Sequence, residues 1–224
     1  MDENLKTLVI LLSGMLVILA AFLLITGNDY PGGFETLGIT PGSSYNYEVS
    51  LTSSETLYEI TMFLPLPSYS GESPVGFAIL DGKGYGIPED MSVDVFGERD
   101  SVFLKVVIPE TCGLKFGINV PAGEIVETQN PVGGSYVIRP VYDLQSGGNA
   151  DVYNTYIYAS YDASPQAVVK IDVSETGENS WETFSEKRNC FEEQLTLTLT
   201  GSQKKWQTAE VSLNKGTGDY SIIF

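Results

Sequence analysis

The side chains best able to do chemistry in this sequence are carboxylates. Asp81, Glu89, Asp90, Asp94, Glu98 and Asp100 crowd one stretch, and a hard cation such as Ca2+, which takes several oxygen ligands, is the cofactor that such a set would hold. Their spacing matches no EF-hand loop, however, and acid-rich turns between strands are ordinary solvated features. Asp81, Asp90, Asp94, Glu98 and Asp100 are therefore calcium candidates only, and no cofactor is otherwise expected. Carboxylates can also work in pairs on a glycosidic bond, but what that chemistry requires is a spatial separation, which spacing along the chain does not give.

What is missing narrows the chemistry further. The chain contains 0 histidines, which removes Ser-His-Asp triads, Cys-His dyads and His-ligated zinc or iron. Ser43 and Ser44 have no lysine at a spacing that would supply a base within hydrogen-bond reach. No catalytic residue is assigned, and the expectation is a protein that binds rather than catalyses.

Tyrosines are the candidates for binding. Tyr153, Tyr156, Tyr158 and Tyr161 fall in the run YNTYIYASY, and aromatic faces can serve as contact platforms. On a strand, alternate residues share a face, so Tyr156 and Tyr158 would point one way while Tyr153 and Tyr161 join Ile157 and Ala159 in a core. Tyr156 and Tyr158 are the expected ligand-binding pair.

The elements that must hold these residues begin with an anchor. Residues 7–26, TLVILLSGMLVILAAFLLIT, carry no charge and are long enough to cross a hydrocarbon core of ~30 Å as a helix. Lys6 precedes the segment and no Lys or Arg follows it until Lys83, so the amino end is expected in the cytoplasm and the remainder outside the cell membrane. A cleaved secretory signal is the competing reading, although its apolar region normally runs about 7–15 residues. Residues 27–44, rich in Gly, Pro, Ser and Thr, read as a tether. Cys112 and Cys190 would then share an oxidising compartment, where an intramolecular disulfide is expected.

Beyond the tether the hydrophobic period is two. Tyr45, Tyr47, Val49 and Leu51 alternate with polar residues, and Tyr58, Ile60, Met62 and Leu64 alternate with Glu59, Thr61 and Phe63. Similar runs are expected as strands at 75–80, 91–96, 102–108, 114–120, 136–141, 152–159, 167–173, 195–200, 206–213 and 220–224, separated by turns such as residues 214–219, NKGTGD. Such a pattern predicts an all-β ectodomain, an antiparallel β-sandwich of immunoglobulin-like kind spanning 45–224, with a possible subdivision at 144–151. The Cys, Trp and Cys spacing of true immunoglobulin domains is missing. One stretch, residues 179–189, carries Asn179 and Glu182 in a capping-box arrangement and predicts a short surface helix. The last strand, 220–224, is expected either to close its own sheet or to offer an edge to a partner.

Charge limits the partners. A net charge of -17 repels nucleic acid and anionic lipid headgroups. No Asn-x-Ser/Thr acceptor occurs, which suits a prokaryotic envelope. In outline, a short cytoplasmic end, one helix and a β domain, the chain resembles archaeal envelope proteins such as archaellum-associated stator subunits, though the charged-Gly processing site of pilin-type precursors is absent around Lys6 and Thr7. The expected function is a single-pass membrane-anchored envelope protein that displays its β domain to other envelope proteins or a surface polymer. The alternatives are an extracytoplasmic glycan- or ligand-binding module and a pilin-like or archaellum-accessory subunit.

Overall fold

Alternating apolar and polar residues persist through the computed structural model, which describes residues 41–98, 101–182 and 185–220. The expected membrane helix at 7–26, most of the tether, Asp100 and the last four residues lie outside them. The strands are β1 (Gly42–Ser68), β2 (Ser92–Glu98), β3 (Ser101–Pro121), β4 (Val137–Ile138), β5 (Tyr142–Gly147), β6 (Ala150–Asp162), β7 (Val168–Glu182), β8 (Glu186–Thr200) and β9 (Gln203–Gly218). All their pairings are antiparallel, in the order β2-β3-β1-β7-β8-β9-β6-β5, with β1 also paired to β6. The all-β antiparallel expectation is met, in a sandwich-like form.

Why β1 is shaped as it is follows from those pairings. β1 joins β7, β7 joins β8, β8 joins β9, β9 joins β6, and β6 returns to β1. Each antiparallel step reverses direction, so a closed circuit with an odd number of steps cannot be made from straight strands. One strand has to double back, and β1 does. Its first arm buries Tyr45, Tyr47, Val49 and Leu51, and its second buries Leu57, Ile60, Met62, Leu64 and Leu66. The polar run between them, TSSET, forms the corner: the register against β3 shifts between Thr52 and Leu57, and Glu59 takes a positive φ of 53°. β3 follows both arms, so a two-stranded ribbon folds over the end of the domain. The sheet is therefore continuous, unlike the two separate sheets of an immunoglobulin domain.

A single apolar cluster lies between the arms and includes Tyr47, Phe116, Tyr153, Tyr161, Val173 and Phe191. Helix α1 (Pro74–Leu80) covers part of it, burying Val75, Ala78 and Ile79. This stretch was expected as a strand. Ser73 overrides that pattern, because its hydroxyl accepts from the Gly76 N–H at 3.1 Å and Pro74 opens the first turn with its φ already helical.

Other expectations are also corrected. Residues 179–189 are not helical where described: β7 runs to Glu182 and β8 starts at Glu186, because the inward alternation continues through Gly177, Asn179 and the buried Trp181. Residues 214–218 are not a turn but the end of β9, paired against β8 from Cys190↔Thr217 to Asn189↔Gly218. Residues 42–44, expected within the tether, belong to β1, which begins at Gly42. Residues 144–151 make the hairpin between β5 and β6, with Gly148 at φ 63°.

Cys112 and Cys190 are both free thiols, the first exposed and the second buried. Cys112 sits at the ribbon corner beside Gly113, which faces Thr52. Cys190 faces Glu178, which faces Ser44. Residues 44–52 therefore separate the two along the sheet, roughly 26 Å at about 3.3 Å per residue, against the ~7 Å that a disulfide tolerates between Cα atoms.

Candidate functional site

The outer face of the second arm carries a row of aromatic rings. Because cross-strand partners put their side chains on the same face, the pairs Phe96↔Phe103, Phe63↔Tyr158 and Tyr158↔Trp206 build the row across β2, β3, β1, β6 and β9. Four strand-to-strand steps of about 4.8 Å make it roughly 19 Å wide. The rings contact one another. Phe96 stacks on Phe103 at 5.4 Å, Phe63 meets Phe96 edge-on at 5.2 Å, and Trp206 stacks on Phe63 at 5.8 Å. Trp206 also lies 5.5 Å from both Phe103 and Tyr158. Phe103 points outward by parity yet is buried beneath Phe96 and Trp206, whereas Trp206 keeps 47% of its surface in solvent.

The expected pair, Tyr156 and Tyr158, lies on this face, with two different sets of neighbours. Tyr158 belongs to the row, 5.2 Å from Phe63. Tyr156 is exposed and stacks on Tyr142 of β5 at 5.1 Å, extending the aromatic surface along β6. Tyr153 and Tyr161 are buried, as their parity requires. Two residues along β6 and β9 from the pair Tyr158↔Trp206, at Ser160↔Lys204, opens a hollow of about 340 Å³ lined by Glu59, Ser160, Tyr161, Asp162, Ser202, Gln203 and Lys204, which carry carboxylate, amide, hydroxyl and ammonium groups.

The acidic candidates among the described residues do not converge. Asp81 ends α1 and pairs with Lys83 at 3.1 Å, Asp94 accepts from the Val95 N–H, Asp90 lies in a turn, and Glu98 ends β2. Among the described residues no three of His, Cys, Asp or Glu gather as a metal site; Asp100 lies outside them. On the first arm Glu48 takes a 2.7 Å bond from the Tyr85 hydroxyl and lies 3.3 Å from Lys115, and both contacts hold its carboxyl below the usual range. Tyr85 moves the other way, pushed up to about 12 by burial and by Glu48.

The sequence pointed to Tyr158 but missed Phe63, Phe96, Phe103 and Trp206. Their signal is parity: each falls on the polar side of its strand's alternation, where a large ring has no core to fill. No protein-family model, curated protein or solved structure matches this chain.

Proposed function

We propose that this chain is a membrane-anchored envelope protein whose β domain is a non-catalytic binding module, and that its aromatic row takes a neutral polysaccharide of the envelope. The apolar segment at 7–26 is the anchor, with the β domain outside the cell, read as a sandwich of immunoglobulin-like proportions whose layers are two arms of one sheet. The row of five outward rings is the observation that carries the reading. Phe103 is covered by its neighbours, Phe63, Phe96 and Tyr158 are half-buried and Trp206 is exposed, and a contiguous apolar patch on a domain surface marks an interaction site. Sugar rings present C–H faces that pack on aromatic faces, and their hydroxyls suit the polar hollow two residues along the strands from Tyr158 and Trp206. The net charge of -17 disfavours an anionic polymer.

The test is co-sedimentation of the full-length chain with insoluble neutral glycans, including the polysaccharide stripped from the native envelope. Trp206→Ala is expected to weaken retention at least about tenfold, as loss of a central aromatic contact does. Its cost in unfolding free energy should be about 2–4 kcal/mol, on the order of the three ring contacts removed at about 0.5–1.5 kcal/mol each. Retention by Trp206→Ala equal to that of the parent chain contradicts the reading.

A further inference from the structure

Two carboxyl groups face each other inside the core. Glu175 of β7 and Glu193 of β8 are cross-strand partners, and each is 1% exposed. Their surroundings are unequal. Glu193 accepts from the Ile138 N–H at 2.8 Å and from the Tyr153 hydroxyl, which also reaches the Ile138 carbonyl at 3.0 Å. Neither oxygen of Glu175 meets a protein hydrogen-bond donor. A bare carboxylate in that position would be buried, unsolvated and opposed to a second negative charge, the combination that core packing tolerates least.

We infer that Glu175 is a proton-binding site: it is held as the neutral acid, donates its hydrogen to the Glu193 carboxylate, and makes the β7–β8 pairing sensitive to pH. A proton is the smallest occupant that supplies the missing donor, and donation to Glu193 satisfies both residues at once. The other titratable or charged groups facing the pair are Tyr45 and Tyr47 of β1, Tyr153 of β6 and Arg139 beyond β4. The tyrosines are held neutral by burial, so Arg139 is the one cation among them. It acts on Glu193 rather than on Glu175.

The sign of the pH dependence follows. Burial first, and Glu193 second, raise the Glu175 acid well above the ordinary carboxyl range. In the unfolded chain the same group releases its proton near pH ~4.3. The folded state therefore binds the extra proton above that pH, and the stability it contributes is fully present at lower pH and lost as pH rises toward the folded value. Deprotonation leaves two like charges in register at the centre of β7 and β8. Surface acids such as Glu48 and Asp172, whose values are lowered, act below this window and with the opposite sign.

The experiment is equilibrium urea unfolding of the full-length chain from pH 5 to 9, compared with Glu175→Gln, whose amide can donate to Glu193 without titrating. The parent chain is expected to lose about tenfold in its folded-to-unfolded ratio per pH unit relative to the variant, until the folded value is passed. Parallel profiles for the two would overturn the inference. Should Glu175→Gln fail to fold, infrared spectra of the parent chain with 13C-labelled glutamate decide the matter: a protonated carboxyl band persisting at pH 7 supports the site, and its absence overturns it.

Discussion

Single side chains fix the end of the domain where β1 enters. Asn179, whose type and spacing suggest a helix cap, instead sits in the core and makes four bonds. It accepts from the Val126 N–H at 2.8 Å and the Ser43 hydroxyl at 2.7 Å, and donates to the Val126 carbonyl at 2.9 Å and to Asn189 Oδ1 at 2.8 Å. Asn189 in turn donates to the Asp219 carbonyl at 3.1 Å, so two amides tie the loop after β3 to the ends of β7, β8 and β9. Asn179→Ala strips partners from several buried groups at once. It should cost roughly 3 kcal/mol, since each buried group left unpaired is worth about 1–3 kcal/mol. The check is a lower urea midpoint with an unchanged slope; a loss under about 0.5 kcal/mol would show that water replaces the amide without cost.

Elements were legible in this sequence wherever alternation alone decided them. Both arms of β1 and of β3 are visible as period-two runs, because inward and outward residues separate cleanly at Tyr45 to Leu51, and at Val102 to Ile108 with the one exception of Phe103, which is buried on the outer face. That each pair of arms is one bent strand was not legible, because the polar residues TSSET interrupt the alternation and only the odd circuit of pairings demands a corner there. Val75 to Leu80 misled for another reason: a short apolar run is ambiguous, and the cap at Ser73 decided it. The aromatic row was half visible, since Tyr158 sits in a conspicuous run while Phe63, Phe96 and Trp206 are scattered over three strands that only the register brings together. Position Gly117 illustrates the same dependence on contacts. Tyr85 exchanges two backbone bonds with it, at 2.9 and 3.0 Å, and a Cβ there would come within 2.6 Å of both the Tyr47 carbonyl and the Tyr85 hydroxyl. Gly117→Ala is expected to displace the loop after α1 and to cost about 1–3 kcal/mol, as overpacking does. Faster amide exchange at Tyr85 would report it, and unchanged exchange there would refute it.

At the scale of the whole molecule, an acidic domain closes β1, β7, β8, β9 and β6 into a circuit of paired strands, and the sheet ends on β2 and β5. The aromatic row is one apolar surface of the described residues, with Trp206 exposed at its centre. The chain holds 2 tryptophans, Trp181 buried at 4% exposure and Trp206 at 47%, so they act as an internal control. Titrating the full-length chain with soluble neutral polysaccharide while following tryptophan emission tests the central claim directly. Contact at the row predicts a saturable blue shift and protection from iodide quenching that persist in Trp181→Phe and vanish in Trp206→Phe. Saturable binding with the emission of Trp206 unchanged, or a shift that follows Trp181 instead, would place the contact elsewhere and contradict the account.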